Sequence, residues 1–85
     1  MSNLVFTERA WDEYLFRQNI DKKIIRRINL ILRDIARNGH DGIGKPEQLK
    51  HRDGWSRRID DANRLVYRIN GATIEILQCK GHYDD

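Results

Sequence analysis

Residues 64–77 read RLVYRINGATIEIL, and the way they pair settles the architecture. Two runs rich in β-branched and aromatic residues flank Asn70-Gly71, a dipeptide favoured by type I′ hairpin turns because both central residues there need positive φ. A two-residue loop predicts that Ile69 faces Ala72, Tyr67 faces Ile74 and Leu65 faces Ile76. These pairs are apolar and predict one buried face. The opposite face then carries Arg64, Val66, Arg68, Thr73, Glu75, Leu77 and Cys79.

Working back along the chain, GWSRRID (54–60) reads as a preceding strand. A three-residue loop, Asp61-Ala62-Asn63, would join it to the hairpin with Asn63 in the left-handed conformation. This register pairs Asp60 with Arg64 and Arg58 with Val66, so Ser56 and Arg58 share the face of Arg64. Trp55 and Ile59 fall on the core side. Arg57 joins them there, at a sheet edge where its stem lies on apolar surface and its head reaches water.

Upstream, HDGIGKPEQ (40–48) is the one loop rich in Gly and Pro, and the apolar period changes across it from 3.6 to 2. Ile24, Ile28, Ile31 and Ile35, widened by Ile25 and Leu32, form the stripe of an amphipathic helix. Asp21 caps its start and Asn38-Gly39 stops it. Ala10, Trp11, Tyr14 and Leu15 mark an earlier helix behind the N-cap Thr7, and NLVF (3–6) reads as a first strand. The order β-α-α-β-β-β predicts an α+β fold with two helices on one face of a mostly antiparallel, twisted sheet.

The chain has 85 residues, which predicts a single domain over 1–85 that buries about 60–65% of its unfolded surface. Net charge is +3, from 16 Lys+Arg against 13 Asp+Glu. That excess permits an anionic partner without specifying one. The single cysteine, Cys79, excludes an internal disulfide and suits a reducing cytosol. There is no leader pattern and no apolar run of about 18 residues, so a cytoplasmic protein without membrane association is expected.

The helix-free face carries Arg58, Arg64 and Arg68. The last strand leads along it towards His82 and Tyr83, and GKPEQLKH (44–51) approaches from the other end of the domain. A carboxylate, a fixed cation and a titratable histidine thereby converge. These types suit cleavage of an RNA phosphodiester without metal: a base for the 2′-hydroxyl, an acid for the 5′-oxygen and a cation for the crowded phosphorane. A tyrosine beside them can stack on a base.

Four segments, GKPEQLKH (44–51), GWSRRI (54–59), NRLVYRI (63–69) and GHY (81–83), occur in an order and spacing that resemble the YoeB/Txe family of bacterial toxins, within the RelE-like superfamily. WDEY (11–14) and DKKIIRRI (21–28) extend the resemblance over nearly the whole chain. It implies a RelE-like (microbial RNase-like) fold and a ribosome-dependent endoribonuclease that cuts mRNA in the A site and so inhibits translation. By that likeness Glu47 is the general base, Arg64 stabilises the phosphate, His82 is the general acid, and Tyr83 holds and orients the substrate. Lys45, Lys50, Arg57 and Arg58 form the RNA-facing set, with Arg58 favoured over Arg57 by the strand register. The implied partners are the 70S ribosome with mRNA and a cognate YefM/Axe-like antitoxin with an acidic C-terminal segment. A homodimer fits the family but has no signature in these residues. No cofactor or metal is implied. Two departures stand out: Asp84-Asp85 follow the tyrosine where relatives commonly stop, and Gly81 precedes the histidine where a bulkier residue is common.

Two other readings compete. One is a non-catalytic antitoxin-binding module acting as a transcriptional co-repressor, against which the joint presence of Glu47, Arg64 and His82 argues. The other is metal-dependent hydrolysis through His40, His51, His82 and Cys79, none of which shows zinc-site spacing.

Overall fold

The computed structural model describes residues 2–81, arranged as β1 (Asn3–Phe6), α1 (Glu8–Ile20), α2 (Lys22–Asn38), β2 (Glu47–Gln48), β3 (Trp55–Arg58), β4 (Arg64–Asn70) and β5 (Thr73–Gln78). The strands form one sheet in the order β1-β5-β4-β3-β2. β1 runs parallel to β5, and the other pairings are antiparallel. The fold is α+β as expected. The expected strand order gains the two-residue edge strand β2, too short to show a period of its own.

Both helices begin where the sequence provides caps. Thr7 Oγ1 accepts from Ala10 N at 3.1 Å, and Asp21 Oδ1 accepts from Lys23 N and Ile24 N at 3.1 and 3.3 Å. Gly39, at φ +64°, ends α2 and donates its N–H to Ile35 O at 2.9 Å. The isoleucine stripe is the core face: Ile28, Ile31, Leu32 and Ile35 are buried with Ala10, Leu65, Tyr67, Ile74, Ile76 and Cys79. Each fully buried aliphatic side chain contributes roughly 1.5–3 kcal/mol.

The hairpin pairs two residues away from the expected register. Ile69 faces Ile74, Arg68 faces Glu75 and Asn70 faces Thr73, so Gly71 and Ala72 occupy the turn and Gly71 alone of them has positive φ, +61°. This alignment puts isoleucine opposite isoleucine where the Asn-Gly loop would have offered alanine. It also brings Arg68 Nε to 2.5 Å from Glu75 Oε1. A slip of two keeps every side chain on its face, so the core prediction survives.

A β-bulge does change a face. Tyr67 pairs with Ile76 but Val66 pairs with Gln78, leaving Leu77 as the extra residue. Gln78 therefore takes the helix-free side. Cys79, expected on that side, turns inward instead, where it is fully buried and its thiol donates to Ala10 O at 3.4 Å.

β3 also pairs two residues from expectation, with Arg58 opposite Arg64 and Ser56 opposite Val66. Residues 59–63 form the connection. Asp60 organises it: its Oδ1 accepts from Ala62 N and from Asn63 Nδ2, both at 2.9 Å. Burial alone would raise the Asp60 pKa, but these bonds and the nearby Arg17 bring it below the ordinary 3.8. Asn63 is not left-handed. Among the described residues Lys45, at φ +48°, is the only such non-glycine.

Arg57 departs furthest from expectation. Its head does not reach water: the whole residue is 0% exposed. The guanidinium is ion-paired with Asp34 Oδ2 of α2. It donates further to Gly39 O at 2.5 Å, Ile43 O at 3.1 Å and Tyr67 Oη at 3.4 Å. The loop after α2 is moulded on this pair. Ile43 N donates to the same Asp34 oxygen at 3.1 Å, and Gly44 O accepts from Arg58 N at 2.6 Å.

Candidate functional site

That loop delivers Glu47 to the sheet edge, opposite Ser56 in the β2–β3 register. Two strands in, Arg64 opens β4 on the same helix-free face. Its Nε donates to Ser56 Oγ at 3.1 Å, and its Nη2 lies 3.9 Å from Glu47 Oε2. The serine thus holds the guanidinium flat along the face and towards the carboxylate. The Arg64 side chain is 16% exposed and that of Glu47 56%, a sheltered cation beside an accessible acceptor. Ser56 itself is fully buried, and its orienting role was not read from the sequence, although its shared face with Arg64 was.

The chain's far end arrives at the same place. Arg64 N donates to Gly81 O at 2.9 Å, so the residue bonded to His82 touches the backbone of the site arginine. His82 and Tyr83 themselves lie outside the described residues. Gln78, turned onto this face by the bulge, donates from Nε2 to Lys80 O at 3.0 Å.

Of the basic residues expected to face RNA, Lys45, Lys50 and Arg58 are at the surface. Lys45 and Lys50 are exposed, and Arg58, 42% exposed in its side chain, is ion-paired with Asp61. Arg57 is not among them. Every donor named above is spent inside the fold, and its burial separates it from any phosphate. Asp34 and Arg57 form a structural pair in which the guanidinium's hydrogen bond holds the Asp34 carboxyl below its ordinary 3.8.

Behind β3 and β4 lies a second cluster. His40 stacks on Trp55 with ring centroids 4.1 Å apart, and its Nδ1 is 3.2 Å from Tyr67 Oη. Burial and the charge of Arg57 both hold the His40 pKa below 6.5. Burial raises Tyr67 above 10.0. Cys79 is pushed up to about 12, by burial first and then by Glu13. Among the described residues no three His, Cys, Asp or Glu side chains stand together as a metal ion would require. Beside Arg64 the described residues bring together a carboxylate and a sheltered guanidinium, a proton acceptor next to a positive charge.

A family model described as "YoeB-like toxin of bacterial type II toxin-antitoxin system" matches residues 6–83. The chain is 50% identical over 82 residues to a Toxin YoeB from Synechocystis sp., covering 94% of this chain and 95% of that protein. A solved YoeB dimer from Staphylococcus aureus superposes with a TM-score of 0.91 at 44% identity, covering 96% of this chain and 98% of that one. A heterotetrameric YoeB–YefM toxin–antitoxin complex, also from Staphylococcus aureus, matches with a TM-score of 0.89 at 43% identity over 98% of this chain and 99% of that one. With its two helices on a mixed sheet and these likenesses over nearly its full length, the chain belongs to the YoeB-like toxin family of bacterial type II toxin–antitoxin systems.

Proposed function

We propose that this toxin is a metal-independent endoribonuclease that cuts mRNA in the A site of the 70S ribosome and so inhibits translation in the cytoplasm. The observation that carries the reading is the Glu47–Ser56–Arg64 arrangement, a carboxylate 3.9 Å from an oriented guanidinium. Glu47 takes the proton of the 2′-hydroxyl, whose oxygen attacks the adjacent phosphorus. Arg64 stabilises the charge that builds on the phosphorane oxygens, a contribution of about 3–4 kcal/mol in sites of this kind. His82 gives its proton to the departing 5′-oxygen, and Tyr83 stacks on a neighbouring base at about 1–3 kcal/mol. The products are a 2′,3′-cyclic phosphate and a 5′-hydroxyl. Lys45, Lys50 and Arg58 hold the backbone by charge. The whole of 1–85 works as one domain.

Its antitoxin is a YefM-like protein whose acidic segment lies across the arginine face, folding as it binds. A homodimer follows the same family pattern.

The test is cleavage of ribosome-bound mRNA in excess of a transition-metal-selective chelator that spares the magnesium holding the 70S particle together, with Arg64→Ala and His82→Gln alongside. Cleavage should persist in chelator and vanish in both variants, while antitoxin binding is kept. Loss of cleavage in chelator would reject the mechanism. Full toxicity of both variants would favour a binding module acting as co-repressor.

A further inference from the structure

Beyond β5, the chain is tied down residue by residue. Cys79 N donates to Glu13 Oε1 of α1 at 2.9 Å. Both polar backbone groups of Gly81 are then taken by two consecutive residues: its N–H donates to Asn63 Oδ1 at 2.8 Å, and its carbonyl accepts from Arg64 N at 2.9 Å. Asn63 is only 6% exposed. Its Oδ1 accepts a second bond from Arg17 Nη2 at 2.7 Å, and its Nδ2 donates to Asp60 Oδ1 at 2.9 Å. The carboxamide is thus used from both ends, and its orientation is fixed, since only oxygen can meet a guanidinium and only the amide nitrogen can meet a carboxylate.

We propose that Asn63, braced by Arg17, is a positioning residue for the cleavage reaction: it anchors Gly81 and thereby sets where His82 begins relative to Arg64. This rests on the reading of His82 as general acid. Gly81 suits the anchor because it adopts φ +77°, a left-handed conformation, and a Cβ there would meet nothing within 4 Å. Glycine before the histidine, a departure from the family pattern, is therefore pinned at both its polar groups. The acid's point of attachment is fixed by α1 through Arg17, by the β3–β4 connection through Asn63, and by β4 through the Arg64 amide.

An anchor that serves the acid should matter only while the leaving group needs a proton. Single-turnover cleavage of ribosome-bound mRNA is compared with the same message carrying sulfur in place of the bridging 5′-oxygen at the scissile phosphate, because a thiolate departs without protonation. On the oxygen substrate Asn63→Ala should slow cleavage on the order of 10²-fold, within the range a positioned acid supplies, with ribosome affinity little changed. On the sulfur substrate Asn63→Ala and His82→Gln should both return to within a few-fold of the parent, and Glu47→Gln should remain slow. Gly81→Ala, which disturbs only the backbone conformation of the anchor, should follow the same pattern and covers the case in which Asn63→Ala does not fold. Equal defects of Asn63→Ala and Gly81→Ala on both substrates, with His82→Gln restored by sulfur, would overturn the positioning role alone. A His82→Gln enzyme that sulfur fails to restore would overturn the acid assignment, and the anchor's purpose with it.

Discussion

Replacing Arg57 with methionine tests the interior of this fold most directly. The guanidinium is 0% exposed and pairs with a carboxylate whose side chain is 17% exposed, so the substitution removes the cation from Asp34, leaves that carboxylate only Asn38 Nδ2 and Ile43 N as donors, and empties the acceptors at Gly39 and Ile43. Removing one member of such a pair costs about 3–5 kcal/mol. A chain of 85 residues has a total stability of roughly 4–13 kcal/mol at the usual 0.05–0.15 kcal/mol per residue. At about 4–8 °C per kcal/mol for a domain of this size, a loss of about 3–5 kcal/mol should lower the thermal midpoint by about 12–40 °C. Urea unfolding followed by tryptophan fluorescence gives the free energy. Arg57→Met combined with Asp34→Asn should lose less than the sum of the two single changes, because the second removes the charge left behind. A loss below about 1 kcal/mol for Arg57→Met would refute the buried-pair argument. Wherever the variant still folds, the salt dependence of ribosome binding should be unchanged. Arg58→Gln, by contrast, should flatten that dependence by about one unit of slope.

Gly44→Ala should destabilise by about 1–3 kcal/mol: φ is +80°, and a Cβ would sit 3.0 Å from Arg58 O and 3.2 Å from Arg57 Cβ. Gly71→Ala, with φ +61° but nothing within 4 Å, should cost less, and equal midpoints for the two would contradict this steric reading. Because His40 is held neutral below its ordinary 6.5, the unfolded chain binds more protons there. Its contribution is complete above 6.5 and is lost as pH falls from that value through the folded pKa; a His40→Gln urea series from pH 7.5 to 5 should be flatter than the parent's. The Cys79 thiol, pushed up to about 12, should resist alkylation at neutral pH until denaturant is added. Rapid native labelling would show that it is not sealed in the core.

Local signals were legible where they act locally. Thr7, Asp21 and Gly39 bound the helices as their capping chemistry dictates, and period-2 alternation located the hairpin and its core face. Register was harder, because Asn70-Gly71 offers a turn whereas the pairing is chosen by Ile69 with Ile74 and Arg68 with Glu75, contacts that exist only across strands. The bulge at Leu77 left no mark in the alternation, so Cys79 was placed on the wrong side. Arg57 looked like a surface cation because its partner, Asp34, belongs to a helix far upstream and meets it only after folding. At the site, shared-face reasoning joined Ser56, Arg58 and Arg64, and likeness to a family supplied Glu47. The anchoring of Gly81 by Asn63 was invisible, since a buried carboxamide carries no pattern until its neighbours are known.

The position of β5 between β1 and β4 bears on how the protein is made. Asn3 and its parallel partner Thr73 lie far apart in the sequence, and pairing segments so distant is slow. Until then β1 has both edges open, Leu4, Val5 and Phe6 lack their neighbours, and Arg64 lacks the Gly81 carbonyl that its amide will meet. The helical hairpin and the corner bearing the carboxylate and guanidinium, built from β2, β3 and β4, need no residue of β5; what waits for the segment after β5 is the Gly81 carbonyl that accepts from the Arg64 amide. The docking of β5 thus joins two distant events, the pairing of β1 and the tethering of the Arg64 backbone to Gly81.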